Sequence, residues 1–334
     1  MFRFGVFGVS GFALRKMIPA LRQARGVDLV AIASRDGGKA AETARTLGLA
    51  KSYGSYEELI ADPEIDAVYN PLPNHLHVPW SERAADAGKH VLCEKPIALG
   101  VAEARRLLAA RERNGVAICE AAMVRVHPRW LAVRDLLRGG RIGKLRAFIG
   151  TFGYNIAARD NIRFDAAMGG GVLLDTGFYP LTMSRFCFED EPTGVLARSE
   201  PDAATGVDLL TSAVLQFPGG QATFSCGMTL APMQRALLLG TAGHLDVPTA
   251  WTPPPERPSE LTIETSASLE EPTPERLTFE PINQYTRLVE RFVDSATQGV
   301  PSPVPLEDSI HNLAALDALA RSAKSGRWES PERP

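Results

Sequence analysis

The sequence predicts an α/β protein of two domains, a parallel sheet with crossover helices followed by an α+β half built on a mostly antiparallel open sheet. Three observations carry this expectation. The chain has 334 residues, 45% of them hydrophobic and 22% charged, which is enough to bury two cores. From residue 1 to about 120, short β-branched runs alternate with stretches whose apolar residues recur at helical spacing. Beyond that point strand-like runs follow one another, as antiparallel pairing requires.

In the first half the strand candidates are Phe2 to Val9, Val27 to Ser34, Ala67 to Leu72, His90 to Glu94 and Val116 to Ala121. Between them, helical spacing covers Leu14 to Arg25, Lys39 to Leu47, Tyr56 to Ala61, Val78 to Ala87 and Val101 to Asn114, several closed by glycine. In the second half a helix over Pro128 to Arg138 ends at Gly139-Gly140, and Lys144 to Asn155 alternates as a strand. Further strands are expected at Ala213 to Phe217, Ala222 to Met228 and Ala236 to Gly240. The Pro-, Thr-, Ser- and Glu-rich stretch from Pro248 to Glu280 reads as surface loop with one polar strand over Glu260 to Thr265. Helices over Gln284 to Gln298 and Leu306 to Lys324 close the chain, and Glu329 to Pro334 read as a loose tail. The expected domains are residues 1–122 and 123–334, with the last helix free to pack back on the first.

A formal net charge of -3 provides no basic field for a phosphate polymer, which argues against nucleic acid as a partner. No apolar run approaches the ~20 residues that span a bilayer. The N-terminal Met1-Phe2-Arg3-Phe4-Gly5 enters a strand directly, so a cytoplasmic protein is expected. Cys93, Cys119, Cys187 and Cys226 are far apart in apolar surroundings, with no metal-ligand spacing, and read as buried thiols.

The first strand runs into Gly8-Val9-Ser10-Gly11-Phe12-Ala13 and then a helix. A Rossmann turn needs residues without bulk at the bend, at the approach to a pyrophosphate and at the helix–strand contact; Gly8, Ser10 and Ala13 take those places. The second strand ends in Ala33-Ser34-Arg35-Asp36. Ser34 stands where a carboxylate would hold the ribose hydroxyls of NAD, and a hydroxyl beside a guanidinium suits the 2′-phosphate of NADP. Lys39 can add a second charge. A slip of two residues would make Asp36 the ribose ligand, which keeps NAD open.

Pro71, Leu72, Asn74 and His77 lie in the Pro-punctuated loop Asn70-Pro71-Leu72-Pro73-Asn74-His75-Leu76-His77, at the strand edge where open α/β sheets bind ligands. His75 and His77 can titrate, although an Asn-x-x-His loop is also a local capping arrangement. Glu94-Lys95-Pro96 ends the next strand, where a lysine can polarise a carbonyl and Glu94 can orient its ammonium.

Together with Gly169-Gly170-Gly171-Val172-Leu173-Leu174-Asp175-Thr176-Gly177-Phe178-Tyr179, these motifs resemble, over essentially the whole chain, the glucose-fructose oxidoreductase and inositol dehydrogenase family, Gfo/Idh/MocA. The resemblance implies hydride transfer between NADP(H) and a carbon bearing oxygen, with Lys95 and Asp175 catalytic and Tyr179 as acid/base. It also implies a second-domain sheet that mediates dimerisation, in a homodimer or homotetramer. Many inositol dehydrogenase-like members have His where this chain has Tyr179, so the Tyr-bearing dihydrodiol and xylose dehydrogenase branch is the nearer likeness. The expected substrate is a sugar, polyol or cyclic diol, contacted by Lys95, Arg125, His127, Asn155, Arg163, Asp175 and Tyr179. Two alternatives remain: a nucleotide-sugar keto-reductase, with Arg159 and Arg163 at a basic pocket mouth, and a non-catalytic dinucleotide-sensing regulator. No metal is expected.

Overall fold

A computed structural model describes residues 1–268, 270 and 272–333. In its first part the order is β1 (Phe2–Phe7), α1 (Ile18–Gln23), β2 (Val27–Ala33), α2 (Gly37–Leu47), β3 (Lys51–Tyr53), α3 (Tyr56–Ala61), β4 (Ala67–Asn70), α4 (His77–Asp86), β5 (His90–Cys93), α5 (Val101–Asn114) and β6 (Ile118–Glu120). There follow α6 (Pro128–Arg138), β7 (Leu145–Asn155), α7 (Phe178–Phe188), β8 (Gly194–Pro201), β9 (Asp208–Phe217), β10 (Gly220–Gly227), β11 (Thr229–Gly240), β12 (His244–Pro248), β13 (Ser259–Glu264), β14 (Glu275–Phe279), α8 (Gln284–Gln298) and α9 (Leu306–Ser325).

The chain divides into two units, residues 1–123 with 283–310 and residues 124–282 with 311–334. The returning segment therefore holds α8 and only the first residues of α9, where the sequence had suggested the last helix. In the first unit six parallel strands run in the order β3-β2-β1-β4-β5-β6. The order reverses between β1 and β4, which opens a crevice at their carboxyl ends. Phe4, Val6 and Phe7 of β1 and Ala67, Val68 and Tyr69 of β4 are fully buried, as strands covered on both faces must be. Leu288, Val289 and Phe292 of α8 are also buried, with the Phe292 ring 6.0 Å from that of Phe4.

The first two strands end at Phe7 and Ala33, short of the expected Val9 and Ser34. Gly8 turns the first with a φ of +72°, which a side chain disfavours. The expected helix from Leu14 is wound with i→i+5 bonds over Ala13–Met17 before α1 begins, and Pro19, which has no N–H to donate, lies at that handover. The polar, three-residue β3 carried too little pattern to be expected.

The second unit carries eight strands in the order β14-β13-β12-β11-β7-β10-β9-β8, antiparallel except for β10 beside β7. Helices α6 and α7 cover one face. The other is open, with Ile149 and Leu239 each 37% exposed, above a concavity of about 550 Å³. Strands β8, β12 and β14 were not expected, and the stretch from Pro248 to Glu280 forms two strands rather than one. Leu269 and Glu271 of that stretch, and Pro334 of the expected tail, lie outside the described residues. Glu329 is not loose: its N–H and C=O both pair with Val195 of β8. Among the described residues no helix is long and apolar enough to cross a membrane.

Candidate active site

At the carboxyl edge of the first sheet the loop after β4 lies on the glycine turn. A Cβ placed on Gly8 would meet Leu72 Cδ2 at 3.1 Å and the Tyr56 hydroxyl at 3.6 Å, a close approach that adds to the cost of its positive φ for any other residue. Ser10 Oγ accepts the Ala13 N–H at 3.1 Å, capping the helix that starts at Gly11; its hydroxyl thus has a local role where the family motif has glycine. Phe12 is 37% exposed and its ring lies 5.8 Å from Tyr285 of α8. This side-chain-free bend leading into a helix start fits a dinucleotide pyrophosphate.

Asp36 caps α2: its carboxylate accepts the Lys39 N–H at 3.0 Å, and its own N–H donates to Ser34 Oγ at 3.2 Å. Arg35 reaches the Tyr56 hydroxyl, whose pKa burial raises and Arg35 opposes. The slip that would put Asp36 on a ribose therefore competes with its cap. Lys39 is exposed.

Pro71 and Leu72 are buried, and Asn74 opens the short helical turn Asn74–Leu76. His77 is 1% exposed, with Nδ1 2.7 Å from the Pro96 carbonyl and Nε2 2.7 Å from the Leu72 carbonyl. Burial pushes its pKa down to about 4, so at neutral pH one ring N–H donates to one of these carbonyls. Both nitrogens therefore face backbone carbonyls of the protein, at a position where the sequence suggests a cofactor contact. Glu94 accepts the Tyr69 hydroxyl at 2.7 Å and the Lys95 N–H at 3.3 Å. The bond between Lys95 and Pro96 is cis.

In the second unit Asp175 sits in a turn of i→i+5 winding, Leu173–Gly177, and Tyr179 in the first turn of α7 directly after it. Such turns recur at functional sites. Asp208 of β9 accepts the Leu173 N–H at 2.8 Å and so caps this helix start. Gly171, at φ +102°, lies so close to Asp208 that a Cβ would stand 2.0 Å from its Oδ1. Arg163 grips Asp175 with two nitrogens, at 2.6 and 3.1 Å, and the Tyr154 hydroxyl donates to the same carboxylate. The carboxylate raises the Arg163 pKa, while burial, reinforced by that charge, raises Tyr154.

Tyr179 is 6% exposed in an aromatic box, its ring 5.3 Å from Phe152, 5.6 Å from Phe178 and 6.4 Å from Trp251. Trp251 in turn stacks on Trp130 at 5.7 Å. Buried Arg129 donates to the carbonyls of Pro248, Thr249, Ala250 and Glu260, pinning the turn that delivers Trp251.

Other substrate candidates are placed differently. His127 is buried and caps α6 by accepting the Arg129 N–H at 3.1 Å; burial and the Arg129 charge push its pKa down to about 4. Arg125 lies 4.8 Å over the Phe186 ring. Asn155 is exposed at the end of β7. Arg159 pairs with Asp202 at 2.6 Å. Sequence reasoning missed Tyr154, Trp251, Glu120 and Tyr285. Tyr154, beside Asn155, and Glu120, in Val116 to Ala121, each stand at the end of an expected strand; Trp251 and Tyr285 left no such signal. The four cysteines are free and buried, and burial pushes the Cys119 thiol up to about 12.

A family model described as an oxidoreductase family with an NAD-binding Rossmann fold matches residues 2–121, and the GFO/IDH/MocA C-terminal domain matches residues 130–246. The chain is 44% identical over 329 residues to an uncharacterised oxidoreductase of Rhizobium meliloti, covering 98% of each. It is 34% identical to D-xylose 1-dehydrogenase (NADP(+)) 2 of Haloferax volcanii, over 97% of this chain and 98% of that one. A 3-ketoreductase from Actinomadura kijaniata, crystallised with NADP and TDP-benzene, superposes with a TM-score of 0.89 at 30% identity, covering 96% of this chain and 97% of the other. With both domains matched in order and the Rossmann turn in place, the chain belongs to the GFO/IDH/MocA family of NAD(P)-binding oxidoreductases.

Proposed function

We propose that the chain is an NADP(H)-dependent oxidoreductase that moves hydride to or from a CH–OH or C=O carbon of a sugar, polyol or cyclic diol. The observation that carries this reading is the Arg163–Asp175–Tyr154 network directly before the helix that bears Tyr179. It presents a fixed carboxylate able to accept substrate hydroxyls, followed within a turn by a phenol able to exchange a proton. The nicotinamide, when bound, supplies or takes up the hydride at C4. Lys95 polarises the carbonyl oxygen and stabilises the negative charge that grows on it during reduction. Tyr179 gives that oxygen its proton, and takes one from the hydroxyl in the oxidative direction. Asp175 orients a neighbouring hydroxyl.

The Asp36 cap supports NADP over NAD, because it leaves Ser34 and Arg35 as the polar groups after β2. An uncharged substrate is favoured because both arginines considered for a diphosphate, Arg159 and Arg163, already pair with carboxylates. The likeness to the A. kijaniata 3-ketoreductase supports a nucleotide-sugar keto-reductase as the second reading. In the same proposal the open face of the eight-stranded sheet packs against a second copy, and the buried thiols suit a reducing cytoplasm.

The test is a spectrophotometric panel of aldoses, inositols, cyclic diols and nucleotide keto-sugars with NADPH and with NADH. Turnover of one uncharged class is expected, with NADPH preferred at least about 10-fold. Lys95→Ala and Tyr179→Phe are expected to lower kcat by roughly 10²–10⁴. Full activity of Lys95→Ala overturns the lysine's role. Tight NADPH binding without hydride transfer to any substrate supports a sensing regulator instead.

A further inference from the structure

The segment that carries Lys95 is gripped at three successive residues. Glu94 Oε2 accepts the Lys95 N–H at 3.3 Å, His77 Nδ1 lies 2.7 Å from the Pro96 carbonyl, and Glu120 Oε1 accepts the Ile97 N–H at 2.8 Å. Each holder is itself anchored to a different part of the same unit. Glu94 takes the Tyr69 hydroxyl of β4, the single N–H of neutral His77 goes either to the Pro96 carbonyl or to the Leu72 carbonyl on its other side, and Glu120 Oε2 accepts the Ser309 hydroxyl of α9 at 2.9 Å.

Glu120 is 2% exposed at the end of β6. A carboxyl in such a place costs several kcal/mol when ionised, and an apolar side chain of similar volume would fill the space without that cost. Its two oxygens go to the peptide that follows the Lys95-Pro96 bond and to the returning helix. Space filling does not account for such a choice, whereas fixing a backbone path does.

We infer that Glu120, with Ser309 and His77, is a positioning residue for Lys95, holding residues 95–97 in the path that aims the lysine side chain. The inference rests on the reading of Lys95 as the polarising group. It also couples the lysine's placement to the returning segment 283–310 through the Ser309 hydroxyl. Burial raises the Glu120 pKa to about 7; Asp308 pushes the same way and Lys95 opposes it, while the neighbouring Cys93 and Cys119 thiols remain neutral. When ionised, Glu120 accepts both hydrogen bonds. When protonated, one oxygen becomes a donor and the grip weakens.

The test compares Glu120→Gln, Ser309→Ala and the wild-type holoenzyme by kinetics from pH 5.5 to 8.5 and by hydrogen exchange at Ile97. Glu120→Gln is expected to lower kcat about 10-fold, with KM values held within about 2-fold, as for a catalytic group displaced by a fraction of an ångström. It should also erase the acidic limb near pH 7 that the wild-type profile is expected to have. Ser309→Ala, a milder change, should speed Ile97 N–H exchange several-fold and lower kcat in step. A purely structural role would lower Tm and leave kcat and the profile as in the wild type, which overturns the inference. If Lys95→Ala retains full activity, the functional reading fails on its own; unchanged Ile97 exchange in Ser309→Ala separately sinks the positioning claim.

Discussion

Around Lys95 the neighbouring side chains bind backbone, whereas around Asp175 they bind the carboxylate itself. In the first unit Glu94, His77 and Glu120 reach the peptide groups of residues 95–97. In the second, Arg163 and Tyr154 converge on the Asp175 oxygens, while the backbone of that turn is capped separately by Asp208. The difference has a physical consequence. Fixing a residue through its peptide groups makes its placement depend on the path of two loops. Fixing it through its charge makes its placement, and much of its solvation, depend on one or two partners.

The largest effect should therefore come from removing a partner in the second unit. In Arg163→Met, Asp175, whose side chain is 14% exposed, loses its counter-charge. Breaking a fully buried pair costs about 3–5 kcal/mol. The Arg163 side chain is 38% exposed, so solvent screens part of this, and a loss of about 2 kcal/mol in urea denaturation is expected. Substrate KM should rise with it, because Asp175 can turn toward water. A change no larger than ~0.5 kcal/mol would put this pair with ordinary surface bridges and remove the contrast between the units.

The same contrast explains what the sequence made legible. Glu94-Lys95-Pro96 and the glycine turn are contiguous, and the alternation of β and α around them follows from local spacing. The partners of Asp175 come from residues 12 and 21 positions away, so their convergence depends on how β7 pairs with its neighbours. His127 has a local role that the alternation did not reveal. It alternates with Arg125 as a ligand-facing pair would, yet Pro128 begins a helix there and turns the imidazole into its cap. Likewise Trp251 lay in a stretch read as loop, because the Arg129 contacts that order it are more than a hundred residues distant. Strands β8, β12 and β14 are short or polar-faced, and pairing rather than pattern makes them strands.

Acid stability offers a second, smaller test. His77 and His127 both titrate near pH 4 when folded, against 6.5 when unfolded. Below pH 6.5 the unfolded chain binds their protons first, so their contribution is present above 6.5 and is lost as pH falls toward 4. Glu120 runs the other way: it titrates near 7 folded and 4.5 unfolded, so its contribution is present below 4.5 and is lost as pH rises through 7. Asp208, which burial also raises, acts in the same sense as Glu120. Between pH 6.5 and 4.5 Glu120 offsets about one histidine. Glu120→Gln removes that offset, so its stability should fall more steeply on acidification, by up to about 1.4 kcal/mol per pH unit, in denaturation series against wild type. Parallel curves would mean that Glu120 binds the same number of protons folded as unfolded across this window, so that burial does not raise its pKa.

The smallest effect, and the most discriminating within the second unit, should come from Tyr154→Phe. The ring stays, so its edge contact with Phe152 at 6.2 Å is kept and only the hydroxyl's bond to Asp175 is lost. A hydrogen bond to a charged group contributes about 1.5–3 kcal/mol, but the retained Arg163 fork still neutralises the carboxylate, so about 1 kcal/mol is expected. Activity should fall only a few-fold, mainly through KM, because the phenol narrows the orientations of Asp175 without setting its charge. The double variant with Arg163→Met gives the decisive comparison. If the two partners serve one carboxylate, their effects should depart from additivity by at least ~0.5 kcal/mol, as for residues sharing a network. Additive losses would mean that Tyr154 and Arg163 act independently. Asp175 would then be held by its surroundings and not by a shared charge.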